Sequence, residues 1–161
     1  MNHIIEALML GVGATLFMDL WALFRARVLA VPSLDYALVG RWVGHMAIGC
    51  FAHASIAVAE PVRGEAALGW AAHYLIGVVF ASAFLMLTGS GWLAQPSPLP
   101  ALLFGTGTVV LPFFIMQPAF GFGIAAAKTP HPGVARMRSL ITHASFGLGL
   151  YLAGLLVQTL R

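Results

Sequence analysis

Apolar residues fall into four long runs separated by polar or turn-forming stretches. The runs Ile4–Phe24, Ala66–Leu87, Leu99–Gln117 and Leu140–Leu160 are each near the ~20 residues a helix needs to cross ~30 Å of hydrocarbon. They predict an all-α fold, a bundle of four transmembrane helices forming one domain over residues 1–161. The third run ends untidily, because apolar character continues through Phe120 and Phe122 to Ala127. Pro112, Pro118, Gly121 and Gly123 argue against a straight helix over that length. The pattern predicts a kinked span to Gln117 and then an irregular apolar segment.

Inside the long connection Arg25–Glu65, Leu34, Leu38, Trp42 and Met46 recur at helical spacing. Ser33, after Pro32, is placed as an N-cap. This predicts a short amphipathic helix on the cytoplasmic membrane surface. The other connections are Thr88–Pro98, which carries no charge, and Lys128–Ser139.

Composition sharpens this picture. The chain is 60% hydrophobic and only 8% charged, with a mean hydropathy of +0.93, whereas an ordinary soluble domain is about a quarter charged. That excludes a water-soluble globular domain, and it equally excludes disorder. A single cysteine excludes a disulfide framework. The basic balance is a net charge of only +3, so nucleic acid is not an expected partner; the lipid bilayer is. Arg25, Arg27, Arg41, Arg63, Lys128, Arg136 and Arg138 lie in or beside the first and third connections, and only Arg161 lies elsewhere. Positive residues stay with the cytoplasm, so both termini and the Thr88–Pro98 turn are expected outside. The start Met1-Asn2-His3 lacks the basic region of a signal peptide, and the first span is expected to be retained.

Ionisable residues within spans are costly, ~2.5–3.5 kcal/mol for a central Asp on insertion scales, and mark functional sites by default. Here they are Asp19, His73 and His143, joined by the amide of Gln117. At ~1.5 Å per residue, Asp19 is about 9 Å from Arg25, His73 about 12 Å from Glu65, and His143 about 7 Å from Arg138. All four are therefore expected one to two turns below one cytoplasmic interface. Small residues accompany them at four-residue intervals: Gly69 and Gly77 about His73, Ser139 and Gly147 about His143, Thr15 before Asp19. Such stripes let helices, or a flat cofactor, approach closely, and the same faces would serve to join two copies of the chain.

Several readings share this pattern. The residues fasten helices together, or Asp19, His73 and His143 form a metal or proton site. Alternatively, His73 and His143 ligate a haem, or the pocket meets lipid or quinone. An internal repeat, with Phe17-Met18-Asp19 echoed by Ile115-Met116-Gln117, competes with chance similarity of apolar hairpins. No nucleophile stands near an acid or base in a placeable way, so no catalytic residue is assigned and the chain leans away from enzymes. His45, Cys50 and His53 have spacing suited to a soft metal, but a surface helix end with incidental histidines is the simpler reading. Glu6, near the outer end of the first span, is expected to reach water.

Several segments together resemble a bacterial integral-membrane family known as domain-of-unknown-function family 2938. They are Met18-Asp19-Leu20-Trp21, Pro32-Ser33-Leu34-Asp35-Tyr36 leading to Gly40-Arg41-Trp42, Gly69-Trp70 with His73-Tyr74, Gln117-Pro118, and Arg138-Ser139-Leu140 with His143. The resemblance runs over nearly the whole chain. It implies a small polytopic protein of the bacterial inner membrane, and supplies no activity, substrate or cofactor.

Overall fold

A computed structural model describes residues 2–160; Met1 and Arg161, the one basic residue expected on the far side, lie outside the described residues. Helix α1 spans His3–Val28, α2 Tyr36–Met46, α3 Glu65–Thr88, α4 Pro98–Gly107, the single turn α5 Gln117–Ala119, and α6 Pro132–Thr159. No strand occurs among the described residues. Four stretches are long and apolar enough to cross a membrane: α1, α3, Pro98–Ala119 and α6.

Local chemistry explains where these elements differ from the apolar runs. The third stretch is broken where expected: α4 gives way to a π-helical turn over Pro112–Met116 before α5. Pro112 has no N–H to donate to the helical ladder, and the wider turn absorbs that loss. Helix α6 begins at Pro132, eight residues before Leu140, so much of the third connection is helical. Proline is well suited to a first turn because its missing N–H is an orphan there in any case. Helix α2 is capped by Asp35, whose carboxylate accepts from the Ala37 N–H at 2.9 Å. Ser33 stands two residues too early for that position.

The chain divides into two compact units. The first comprises Met1–Ser33, Tyr74–Thr108 and Leu140–Arg161. It is a four-helix bundle of α1, α4 and most of α3 and α6, with Leu10, Ala14, Ala81, Phe84, Leu150 and Val157 in its core. Small residues set its contacts. A Cβ on Gly11 would lie 2.5 Å from the Val78 Cα, and one on Gly77 would strike the Thr15 hydroxyl. Gly149 lies against Ala14, and Gly147 against Leu102 and Gly105. Helix α1 is thus held between α3 and α6, while α6 also abuts α4. The outer faces are apolar: Leu75 is 64% exposed, Leu103 66% and Met86 86%. Water would penalise such a surface and hydrocarbon would not.

The second unit comprises Leu34–His73 and Val109–Ser139. Val39, Ile56 and Phe120 form its core, with Tyr36, Trp42 and Phe122 packed around them. Helix α2 lies against the start of α3, because Gly40 and Gly69 have no Cβ to hold the backbones apart.

Candidate functional site

Each of the four polar residues singled out within the apolar runs has a partner within its own unit. Asp19, on α1, accepts a hydrogen bond from the Tyr74 hydroxyl of α3. His143, on α6, has Nδ1 at 2.7 Å from the Thr108 Oγ1. That hydroxyl already donates to the Gly105 carbonyl at 2.6 Å, so the imidazole must be the donor, with its proton on Nδ1.

The other two belong to the second unit. The His73 ring stacks on Tyr36 of α2, centroids 4.1 Å apart, and meets Trp70 edge-on at 5.8 Å. The Gln117 amide is buried and its Nε2 donates to the Ser139 Oγ at 3.2 Å. Its carbonyl oxygen is also buried and has no partner among the described residues. The small residues act as the spacing suggested: Thr15 packs on Gly77, Gly147 on Gly105, Gly69 on Tyr36 and Gly40, and Ser139 on Gln117.

The partners Tyr36, Tyr74 and Thr108 do not stand out in the sequence. Their hydroxyls and rings are amphipathic and unremarkable one at a time, and nothing in a linear pattern pairs positions 35 residues apart. Glu6 also lies elsewhere than its place near the outer end of the first apolar run suggests. The carboxylate does not reach water: Glu6 is 0% exposed on the inner face of α1. Its Oε2 lies 3.2 Å from Nδ1 of His3, whose side chain is 79% exposed. The signal was present in the spacing. Glu6, Leu10, Ala14 and Met18 recur every four residues and are all buried, a stripe parallel to Gly11, Thr15 and Asp19. An open groove of about 470 Å³ beside His3, lined by Leu8, Val78, Ser82 and Met86 among others, separates α1 from α3 there.

A family model covering residues 8–157 matches the chain, described as Protein of unknown function (DUF2938). The chain belongs to the DUF2938 family. No curated protein and no solved structure matches it. DUF2938 membership assigns no chemistry, so the functional content of this family member rests on its own side chains. Two charged side chains of α1 are buried: Arg25, 6% exposed, and Glu6, whose carboxyl an exposed imidazole connects to the surface.

Proposed function

We propose that the protein is a multi-pass protein of the bacterial cytoplasmic membrane that takes up a proton or small cation at carboxylates on α1. Both termini lie outside, as the distribution of basic residues favours. The observation that carries the reading is Glu6, buried to 0% exposure and hydrogen-bonded to an imidazole that is 79% exposed. His3 is the exposed end of this pair and Glu6 the buried end, so an ion that reaches the carboxylate passes the imidazole first. Asp19 is thirteen residues further along the same helix, about 20 Å at the α-helical rise. One span thus carries a carboxylate towards each of its ends.

A second reading is favoured by the hydrogen bonds of Asp19 and His143 and the ring stacking of His73. In it the Asp19, His73, Gln117 and His143 set fastens helices and carries nothing. The two readings part on activity. Purified protein is reconstituted into liposomes loaded with a pH-sensitive dye, and proton entry is driven by an imposed potassium diffusion potential. The proposal expects entry well above that of empty liposomes, lost in Glu6→Gln and Asp19→Asn. Entry equal to empty liposomes, or unchanged in both variants, would overturn it. Loss in Glu6→Gln alone would leave Asp19 a fastener.

A further inference from the structure

We infer that His45, Cys50 and His53 bind a zinc ion. The three residues lie in the second unit, and one ligand atom from each falls within 4.8 Å of the others. The inference stands apart from the α1 carboxylates and does not depend on them.

Backbone chemistry builds this group from two sides. Helix α2 ends in a Schellman turn: Gly49, at φ 80°, donates its N–H to the Met46 carbonyl, and Cys50 donates to the His45 carbonyl, both at 3.0 Å. These two bonds fold the residue after the glycine back over the last helical turn, which sets Cys50 beside His45. His53 is fixed separately. Its N–H donates to the Ala119 carbonyl at 2.8 Å, and Ile56 donates to Phe120 at 3.1 Å. That approach requires glycine at 121, where φ is 86° and any Cβ would strike the Ala54 carbonyl oxygen. Between the two anchors, the Trp42 indole N–H donates to the Phe51 carbonyl at 2.8 Å. The ligand-bearing loop is therefore held before any ion arrives.

The distances suit tetrahedral zinc. With Zn–N of ~2.05 Å and Zn–S of ~2.3 Å, tetrahedral ligands stand about 3.3 Å apart for N···N and about 3.6 Å for N···S. His53 Nε2 lies 3.6 Å from Cys50 Sγ and 2.7 Å from His45 Nδ1. To admit the ion the two rings part by about 0.6 Å, and all three ligand atoms already lie within 4.8 Å of one another. The other ring nitrogen of His53 is buried with no partner among the described residues. Two imidazoles and one thiolate favour zinc over magnesium or calcium, which demand oxygen donors. The Cys50 thiol faces the Ala52 carbonyl at 3.6 Å; on binding it releases its proton to solvent, the proton in the His45–His53 hydrogen bond moves to the far nitrogen of the ring that carries it, and the two freed nitrogens and the thiolate take the metal. Three protein ligands leave a fourth position for water or another donor.

Cys50 is the only cysteine in the chain, so its reactivity reports the site directly. Full-length protein, with any affinity tag removed, is purified in detergent, equilibrated with Zn²⁺ and analysed for metal. About one zinc per chain is expected, falling at least about tenfold in Cys50→Ser and His53→Ala. In parallel, Zn²⁺ is expected to slow maleimide labelling of Cys50 by about tenfold or more, and His45→Ala or His53→Ala to abolish that protection. Equal labelling rates with and without Zn²⁺ would overturn the inference, as would full protection in both histidine variants. If a histidine variant loses its helical circular dichroism, the wild-type comparison of Zn²⁺ with Mg²⁺ decides. Protection by zinc alone supports the site, and protection by both or neither refutes it.

Discussion

Arg41 grips Glu65 through two parallel bonds, Nη2 to Oε1 at 2.8 Å and Nε to Oε2 at 2.9 Å. Its remaining nitrogen, Nη1, donates to the carbonyls of Ile56 at 3.2 Å, Ala57 at 3.3 Å and Ala59 at 3.1 Å. One guanidinium so ties α2 to the first residue of α3 and to the turn between them. Its hydrogen bonding to Glu65 raises the Arg41 pKa above the ordinary arginine value.

Lysine cannot reproduce this fork, since its ammonium is a point donor on a flexible stem. Arg41→Lys should therefore loosen the 56–59 turn almost as much as Arg41→Ala. Hydrogen exchange at those amides is expected to accelerate in both variants. Unchanged exchange in Arg41→Lys would show that charge alone holds the turn.

Gly77 and Gly107 offer a matched pair within the bundle unit. A side chain at Gly77 would enter the Thr15 hydroxyl, whereas nothing lies within 4 Å of a Cβ on Gly107. Overpacking of an interior contact costs typically ~1–3 kcal/mol and occasionally more. Gly77→Leu is expected at or above the top of that range and Gly107→Leu near zero. Equilibrium unfolding in mixed micelles checks the contrast, and equal losses would deny the close approach of α1 and α3.

The long apolar runs made the spans legible, because hydrocarbon dictates composition residue by residue. The kink near Pro112 was legible for a similar reason: proline acts locally whatever surrounds it. Tertiary partners were not. Thr108 and His143 are neighbours only because Gly105 and Gly147 let α4 and α6 touch, and Tyr36 reaches His73 only because Gly40 and Gly69 bring α2 onto α3. The glycines were visible, but not which helix each would meet. His45, Cys50 and His53 read as incidental because a Schellman turn and a distant carbonyl, that of Ala119, are what bring them together.

Helix α1 closes at Ala30, which adopts φ 52°, and the Val31 N–H returns to the Arg25 carbonyl at 3.1 Å. This is a left-handed helix cap, a position glycine fills without steric cost. Ala30→Gly is expected to stabilise the protein by roughly 0.5–1 kcal/mol, the relief of left-handed strain exceeding the added chain entropy. A lower unfolding midpoint in this variant would contradict that.

The hydrogen bond between Thr108 and His143 is expected to contribute little to stability. Interhelical hydrogen bonds in membranes average ~0.6 kcal/mol, so Thr108→Val should shift stability by about that amount. Asp19→Asn should be equally mild, since an amide oxygen can still accept from Tyr74. A loss of several kcal/mol in either variant would mean that these residues do more than fasten helices.

Infrared difference spectroscopy of the protein in lipid bilayers, taken between acidic and alkaline buffer, tests whether Glu6 exchanges a proton or gives it up for a cation. A buried-carboxyl band is expected in the difference spectrum, missing in Glu6→Gln and retained in Glu60→Gln, whose side chain lies in an exposed loop. A difference spectrum identical in wild type and Glu6→Gln would contradict it.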